Sequence, residues 1–381
     1  MKTFYKIVLF VAIIGVVATF NFSCSKDEEP YISYVRIPNP AAKDSLLVAA
    51  PQMQLIAIIG GNLKNTREVW FNDQQAYLEP HRITNTSIMI EVPNKAPEVV
   101  TDQLKLVFKN GKTLTHDFKV TINKPRLDNL YCEYVPEGGK AIIKGGYFYL
   151  PISVEFPGGF KVNSADGGIS VNADDEKDPF TILTVTVPKG AKNPGPIIVT
   201  SNFGITKSGF WFLDDRNIFQ DFNDAGWWAG KQVTDPGQND PPKINGPYYR
   251  VTKAIGGWAW TEVFNWWINH LIPDDAIVNP KKYNYKFEVN TLKPYNNNGL
   301  RIFVGPRSKG TSDPFFLWNG KTSGIDTKGE WHTVVFPFED VLGANGFIDP
   351  LPEYFFGFLF CGDGTLDCDM CFDNFRVVPK Q

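Results

Sequence analysis

The chain has 381 residues, 43% of them hydrophobic and 14% aromatic, with a formal net charge of −3. That length exceeds one ordinary core and suits two or three domains. With no basic block the composition argues against a nucleic-acid partner, and four histidines supply little metal chemistry.

At the N-terminus, Lys2 and Lys6 precede the apolar run IVLFVAIIGVVATF. The run is too short for a comfortable membrane span and has the layout of a secretory signal peptide, residues 1–23. It ends in NFSC, where Cys24 follows the small Ser23. This resembles a lipobox, whose cysteine is lipidated and becomes the new N-terminus, although Asn21 and Phe22 replace the usual aliphatic and small residues. Residues 24–30 read CSKDEEP, and the SKDEEP after the cysteine resembles the acidic tag that directs Bacteroidetes lipoproteins to the outer cell surface. The resemblance implies a lipid-anchored protein on the outside of the outer membrane.

Two segments then echo each other. LIAIIGGNLKNTREVWFNDQQA and, later, SIMIEVPNKA fall within 31–123; KAIIKGGYFYLPISVEFPGG and ILTVTVPKGA fall within 124–213. Each holds an apolar run, a Gly-Gly pair, an alternating strand and a strand ending at Val-Pro (Val92-Pro93, Val187-Pro188). Glycine is expected to supply the positive φ of a turn there, and proline to stop strand pairing. Period-two alternation in ISVEF and LTVTV predicts antiparallel β-sandwiches, and the internal repeat predicts two copies of one domain. Both copies resemble IPT/TIG domains, which are immunoglobulin-like. Neither carries visible chemistry, so a spacer role is expected.

From about Asn217 the composition shifts: nine of the ten tryptophans lie at or after Trp211. Strand-like runs succeed one another (YYRVT, WAWTEVF, YNYKFEVNTL, LRIFVG, FFLWN, WHTVVFPF, YFFGFLF, MCFDNFRVV), separated by turn signals such as YNNNG and CGDGT. No amphipathic helix stands out; PFEDVLG suits a single turn. About eight strands predict a jelly-roll-like β-sandwich over 214–381, and the chain as a whole is expected to be all-β.

GGWAWTEVFNWW concentrates four tryptophans. Strict alternation would put Trp258, Trp260, Glu262, Phe264 and Trp266 on one face and Ala259, Thr261, Val263, Asn265 and Trp267 on the other. A carboxylate is costly to bury unpaired, so the face with Glu262 is expected to be solvated. Flat rings beside a few polar groups suit a carbohydrate. The axial C–H bonds of a β-linked pyranose stack on an indole face, and its hydroxyls seek groups such as Glu262, Asn265 or Arg301. Trp227 and Trp228, in a glycine-flanked loop, and Trp318, at a strand-to-turn edge, are further candidates for display. A core role is the competing reading for each ring. Trp331 and Trp211 are expected to be structural.

Several stretches carry a wider resemblance: NIFQDFNDAGWW, NGPYYRVTKAIGGWAW, YNYKFEVNTLKPYNNNGLRIFV, GIDTKGEWHTVVFPF and the terminal DNFRVVP. With the lipobox and the tandem IPT-like repeats, the chain resembles Bacteroidetes surface glycan-binding proteins encoded beside SusC/SusD-like transporters. The resemblance implies non-catalytic capture of a polysaccharide, a β-glucan or a hemicellulose such as xyloglucan, by an aromatic platform on the C-terminal domain. It implies the neighbouring SusC/SusD-like transporter as partner. By position the platform would draw on the Trp227-Trp228 loop and the Trp258/Trp260 segment.

A glycoside hydrolase and a protein-binding adhesin are the alternatives. Hydrolysis needs two carboxylates roughly 5–10 Å apart, and no spacing singles out a partner for Glu262 among Asp274, Asp313 and Asp363. No cofactor is expected. Asp221, Asp224 and Asp373 have oxygen chemistry suited to a structural calcium, but turn formation explains such residues better. Of Cys132, Cys361, Cys368 and Cys371, the last two form CDMC without a second pair for zinc. A disulfide is open, and buried free thiols are favoured.

Overall fold

The computed structural model describes residues 29–42, 44–172, 181–223, 230–268, 271–306, 315–345 and 349–380. The described residues are organised by strands, as the alternation predicts, and divide into two compact units after Asn123.

The first unit holds β1 (Tyr31–Arg36), β2 (Ala49–Pro51), β3 (Leu55–Gly61), β4 (Thr66–Phe71), β5 (Gln74–Ala76), β6 (Ser87–Glu91), β7 (Gln103–Phe108), β8 (Thr113–Asp117) and β9 (Lys119–Thr121). Sheets β1-β3-β6 and β5-β4-β7-β8 enclose the core, and β2 pairs with β9 in parallel. In β7, QLKLVF alternates so that Leu104, Leu106 and Phe108 are buried against Ile56, Ile58, Val69 and Ile88.

In the second unit, β10 (Arg126–Leu130), β11 (Lys140–Gly146), β12 (Ile152–Phe156), β13 (Phe160–Asn163), β14 (Ile169–Asn172), β15 (Ile182–Thr186), β16 (Gly195–Ser201) and β17 (Gly204–Phe212) repeat the pattern in sheets β10-β11-β15-β14 and β13-β12-β16-β17. The Gly-Gly pairs do not form turns as expected: they end strands β3 and β11. A Cβ on Gly60 would lie 1.9 Å from the Tyr31 carbonyl oxygen, and one on Gly145 would lie 1.9 Å from that of Arg126. In both copies glycine is required because the first strand's backbone crosses on top of it.

The rest of the second unit is built from β18 (Ile218–Gln220), β19 (Lys231–Val233), β20 (Tyr248–Ile255), β21 (Thr261–Ile268), β22 (Tyr283–Thr291), β23 (Gly299–Gly305), β24 (Phe316–Asn319), β25 (Trp331–Pro337), β26 (Tyr354–Phe360) and β27 (Leu366–Pro379). One sheet runs β19-β20-β27-β22-β25, with β18 on β27, and the other runs β21-β26-β23-β24. Aromatic rings fill the space between them: Phe375 stacks on Phe287 at 4.7 Å and meets Phe356 and Phe358 at 5.0 and 5.3 Å. PFEDVLG gives more than a turn. Phe338–Asn345 is an eight-residue helix that buries Phe338, Val341 and Leu342.

Burial of twelve of the fourteen residues of β27 has a cause in its position, because it is a central strand with both faces covered. One face meets the aromatic core, while Cys371 joins the hydrophobic cluster of the preceding sandwich. At this junction Arg376, fully buried, donates to Glu133 at 2.6 Å and to Glu288 at 2.8 and 2.9 Å. Lys286 donates to Glu133 at 2.6 Å and lies 3.7 Å from Asp214, whose carboxylate also takes two bonds from Arg216. Three bases therefore face three acids, and Asp214, where the third segment was drawn to begin, is one of them.

Candidate ligand-binding face

The Gly256–Trp260 segment precedes β21 rather than lying within it. Trp258 adopts φ 58°, a left-handed conformation rarely tolerated by a bulky residue. The turn is held from behind: Trp258 N donates to Gly362 O at 2.7 Å, and Asn298 Nδ2 donates to Gly256 O and Gly364 O. The result is display. Trp258 is 65% exposed and Trp260 45%.

A bulge between Glu262 and Phe264 then breaks the alternation. Val263 and Phe264 are both buried, so Phe264 belongs to the core, 5.0 Å from Phe222, and not to the displayed face. The bulge brings Asn265 to Glu262's side, where alternation would have separated them: Asn265 Nδ2 donates to Glu262 at 3.2 Å, and Trp260 Nε1 to the other oxygen at 3.4 Å.

Across the sheet, Glu262 pairs with Leu359, which pairs with Arg301. Arg301 Nε donates to Cys361 O at 2.8 Å, and its guanidinium lies 5.8 Å from the Trp260 ring and 4.1 Å from that of Phe315. One row further, Asn265, Gly357 and Phe303 pair across β21, β26 and β23. Phe303 stacks on Phe355 at 5.4 Å and 24°. Phe303, Phe315 and Phe355 were missed from sequence. For two of them the signal was there: LRIFVG puts Phe303 on the face of Arg301, and YFFGFLF puts Phe355 on that of Leu359.

Thus Trp258, Trp260, Glu262, Asn265 and Arg301 are brought together. Trp227 and Trp228 lie outside the described residues. Trp266 pairs with Phe356 through its backbone, and its side chain is outside the description. Trp318 corrects the expectation of display. Its neighbour Leu317 pairs with Arg301 and faces out, so Trp318 faces in, 3% exposed. Its Nε1 donates to Ser323 O at 2.7 Å, and it meets Tyr295 edge-on at 4.8 Å. Trp331 is structural, donating to Pro242 O at 2.8 Å, and Trp211 lies under the Arg216 guanidinium at 3.8 Å.

The remaining chemistry is quiet. Cys132, Cys361, Cys368 and Cys371 are buried free thiols, and burial pushes Cys368 up to about 12. Of the residues considered for calcium, Asp224 lies outside the described residues, as does the proposed lipidation site Cys24. The Asp221 carboxylate accepts from Asn223, and Asp373 is held well above the carboxylate range by burial. Among the described residues no three His, Cys, Asp or Glu side chains converge as a metal site. A separate cleft of about 640 Å³ lies between β11 and β25, lined by Tyr131, Ile142, Pro242, Trp331 and His332.

The sandwich beneath this face agrees in fold with known proteins. Residues 212–379 match the family model for the surface glycan-binding protein B xyloglucan binding domain. Over 93% of its length the chain is similar to the crystal structure of the surface glycan-binding protein PbSGBP-B from Prevotella bryantii, covering 99% of that chain with a TM-score of 0.67 at 22% identity. It is also similar over 92% of its length to SGBP-B from a complex xyloglucan utilization locus in Bacteroides uniformis, covering 99% of that chain with a TM-score of 0.52 at 17% identity. At these identities the likeness is one of fold. A curated IPT/TIG domain-containing protein of Bacteroides ovatus is 24% identical over 231 residues, 57% of this chain, and the match spans 47% of that relative, about half its length.

Proposed function

We propose that the protein is a non-catalytic polysaccharide-binding lipoprotein of the outer cell surface. Its C-terminal sandwich captures a β-glucan or a hemicellulose such as xyloglucan, and the two preceding sandwiches act as spacers. Lipidated Cys24 anchors it, and a SusC/SusD-like transporter receives the glycan. The observation that carries the reading is the exposure of Trp258 and Trp260 beside Glu262, Asn265 and Arg301. A monomeric fold gains nothing from holding two indoles in water, one of them on a strained backbone. Their faces suit the apolar face of a pyranose, and the neighbouring carboxylate, amide and guanidinium suit its hydroxyl rim.

Binding is favoured over hydrolysis by the same geometry. The Glu262 oxygens accept bonds from Trp260 and Asn265, and Asp363 is engaged by Lys321. Hydrolysis would need a protonated acid opposite a free base. The test is affinity electrophoresis of the leaderless chain in gels containing soluble β-glucans and hemicelluloses. Retardation by one or two of them is expected, lost in Trp260→Ala with an unchanged melting temperature. Retardation that survives Trp258→Ala and Trp260→Ala together would remove the reading.

A further inference from the structure

We infer that Phe303 forms a second sugar-contacting position on this face, distinct from the Trp258–Trp260 position, and that Gly357 is the positioning residue that lays its ring flat. The inference rests on the reading of the face as a glycan site and deepens it: the ligand is a chain long enough to cross strands β21, β26 and β23.

Phe303 pairs with Gly357 across β23 and β26. A Cβ on Gly357 would stand 2.2 Å from Phe303 Cζ and 2.7 and 2.8 Å from its Cε atoms. The ring therefore lies down over the glycine, on the strip of backbone where any other residue would raise a side chain. Phe355, on the same strand as Gly357, stacks on it nearly parallel, 24° between planes. Both rings are partly exposed and stand apart from the buried aromatic cluster between the sheets. A ring lying along a sheet offers its face, and the face is what an apolar sugar surface stacks on.

The position is separate from the tryptophans but continuous with them. Arg301 and Phe303 are two residues apart on β23, so their side chains emerge on one face roughly 7 Å apart. Arg301 in turn touches Phe315 and approaches Trp260. A polymer that repeats its pyranose face could thus meet Trp260 with one unit and Phe303 with another. A short oligosaccharide could reach only one of them.

The experiment is calorimetric titration of the leaderless chain with a length series of oligosaccharides from the glycan that retards it. Phe303→Leu keeps apolar volume on Gly357 but removes the flat ring, and Gly357→Ala keeps the ring but lifts it. Both should leave the shortest binders unchanged and weaken the longer ones by about tenfold, whereas Trp260→Ala weakens every length. If Trp260→Ala acts at every length and Phe303→Leu at none, the second position is overturned while the site stands. Equal loss at every length in Phe303→Leu would merge the two positions and overturn the separation. No effect of Trp260→Ala at any length would remove the site itself.

Discussion

Arg301 and Arg376 sit on two regions of one sandwich built from the same residue types, acids, guanidinium groups and aromatic rings. At the junction Arg376 is fully buried, and its terminal nitrogens are bonded to Glu133, Glu288 and the Asn374 carbonyl. On the outer face Arg301 is half-buried and, among the described residues, held by one carbonyl oxygen between two rings. Charges taken out of water need compensation, and both terminal nitrogens of Arg376 have it, although its Nε has no hydrogen-bond partner among the described residues, so the junction is read as architecture. A half-solvated cation beside exposed rings is left with capacity for a ligand. The difference between the regions lies in burial and satisfaction, not composition.

The largest effect should come from breaking the junction. Arg376→Ala would leave Glu133 and Glu288 buried without their shared partner. Removing one member of a buried pair costs about 3–5 kcal/mol, and the denaturant midpoint should fall accordingly. Where the variant still folds, glycan affinity should be unaltered, because no atom of Arg376 reaches the outer face. A loss below about 1 kcal/mol, in the range of surface pairs, would show that the two arginines differ less than the structure implies.

The reciprocal change is smaller and falls on the other observable. Arg301→Lys keeps the charge but loses the planar group between Trp260 and Phe315. Stacked arginines are not replaced by lysine without cost, and binding should weaken about threefold to tenfold, roughly 1 kcal/mol. Stability should move by less than about 0.5 kcal/mol, as for other surface sites. A larger fall in melting temperature than in affinity would make Arg301 a structural residue.

How legible this was depended on how local the cause is. Alternation in ISVEF and LTVTV is a property of the strand itself and predicted the sandwiches directly. The face around Trp260 was only half legible, because a single bulge after Glu262 sends Phe264 inward and Asn265 outward, and no residue there announces a bulge. Trp318 was misread because its edge strand is only four residues long, too short to show which way alternation runs without knowing that Leu317 opposes Arg301. The Gly-Gly pairs were read as turns when the constraint is a neighbouring backbone, which is non-local. The junction charges were invisible for the same reason: Glu133 and Arg376 are 243 residues apart.

Asp373 sharpens the comparison at its smallest scale. It is fully buried at the junction's edge, Oδ1 accepts from Asn374 N at 2.8 Å, and Oδ2 has no hydrogen-bond partner among the described residues. Desolvation, then the nearby Glu288 and Asp221 carboxylates, hold its pKa well above the ordinary value against the pull of Arg376. The unfolded chain releases this proton near pH 4, while the folded protein keeps it. Between those two values the folded state binds more protons, so stability falls as pH rises and levels off above the folded pKa. Asp214 works in the opposite sense: its pKa is lowered, and its contribution is lost as pH falls. Asp373→Asn removes the first dependence alone. The variant should melt a few degrees above the parent at pH 7, and the gap should narrow as pH falls and close below about pH 3, where the parent's side chain is neutral in both states. A gap that is constant with pH would mean that Asp373 is charged in the folded protein and that the junction accommodates a seventh ionised group.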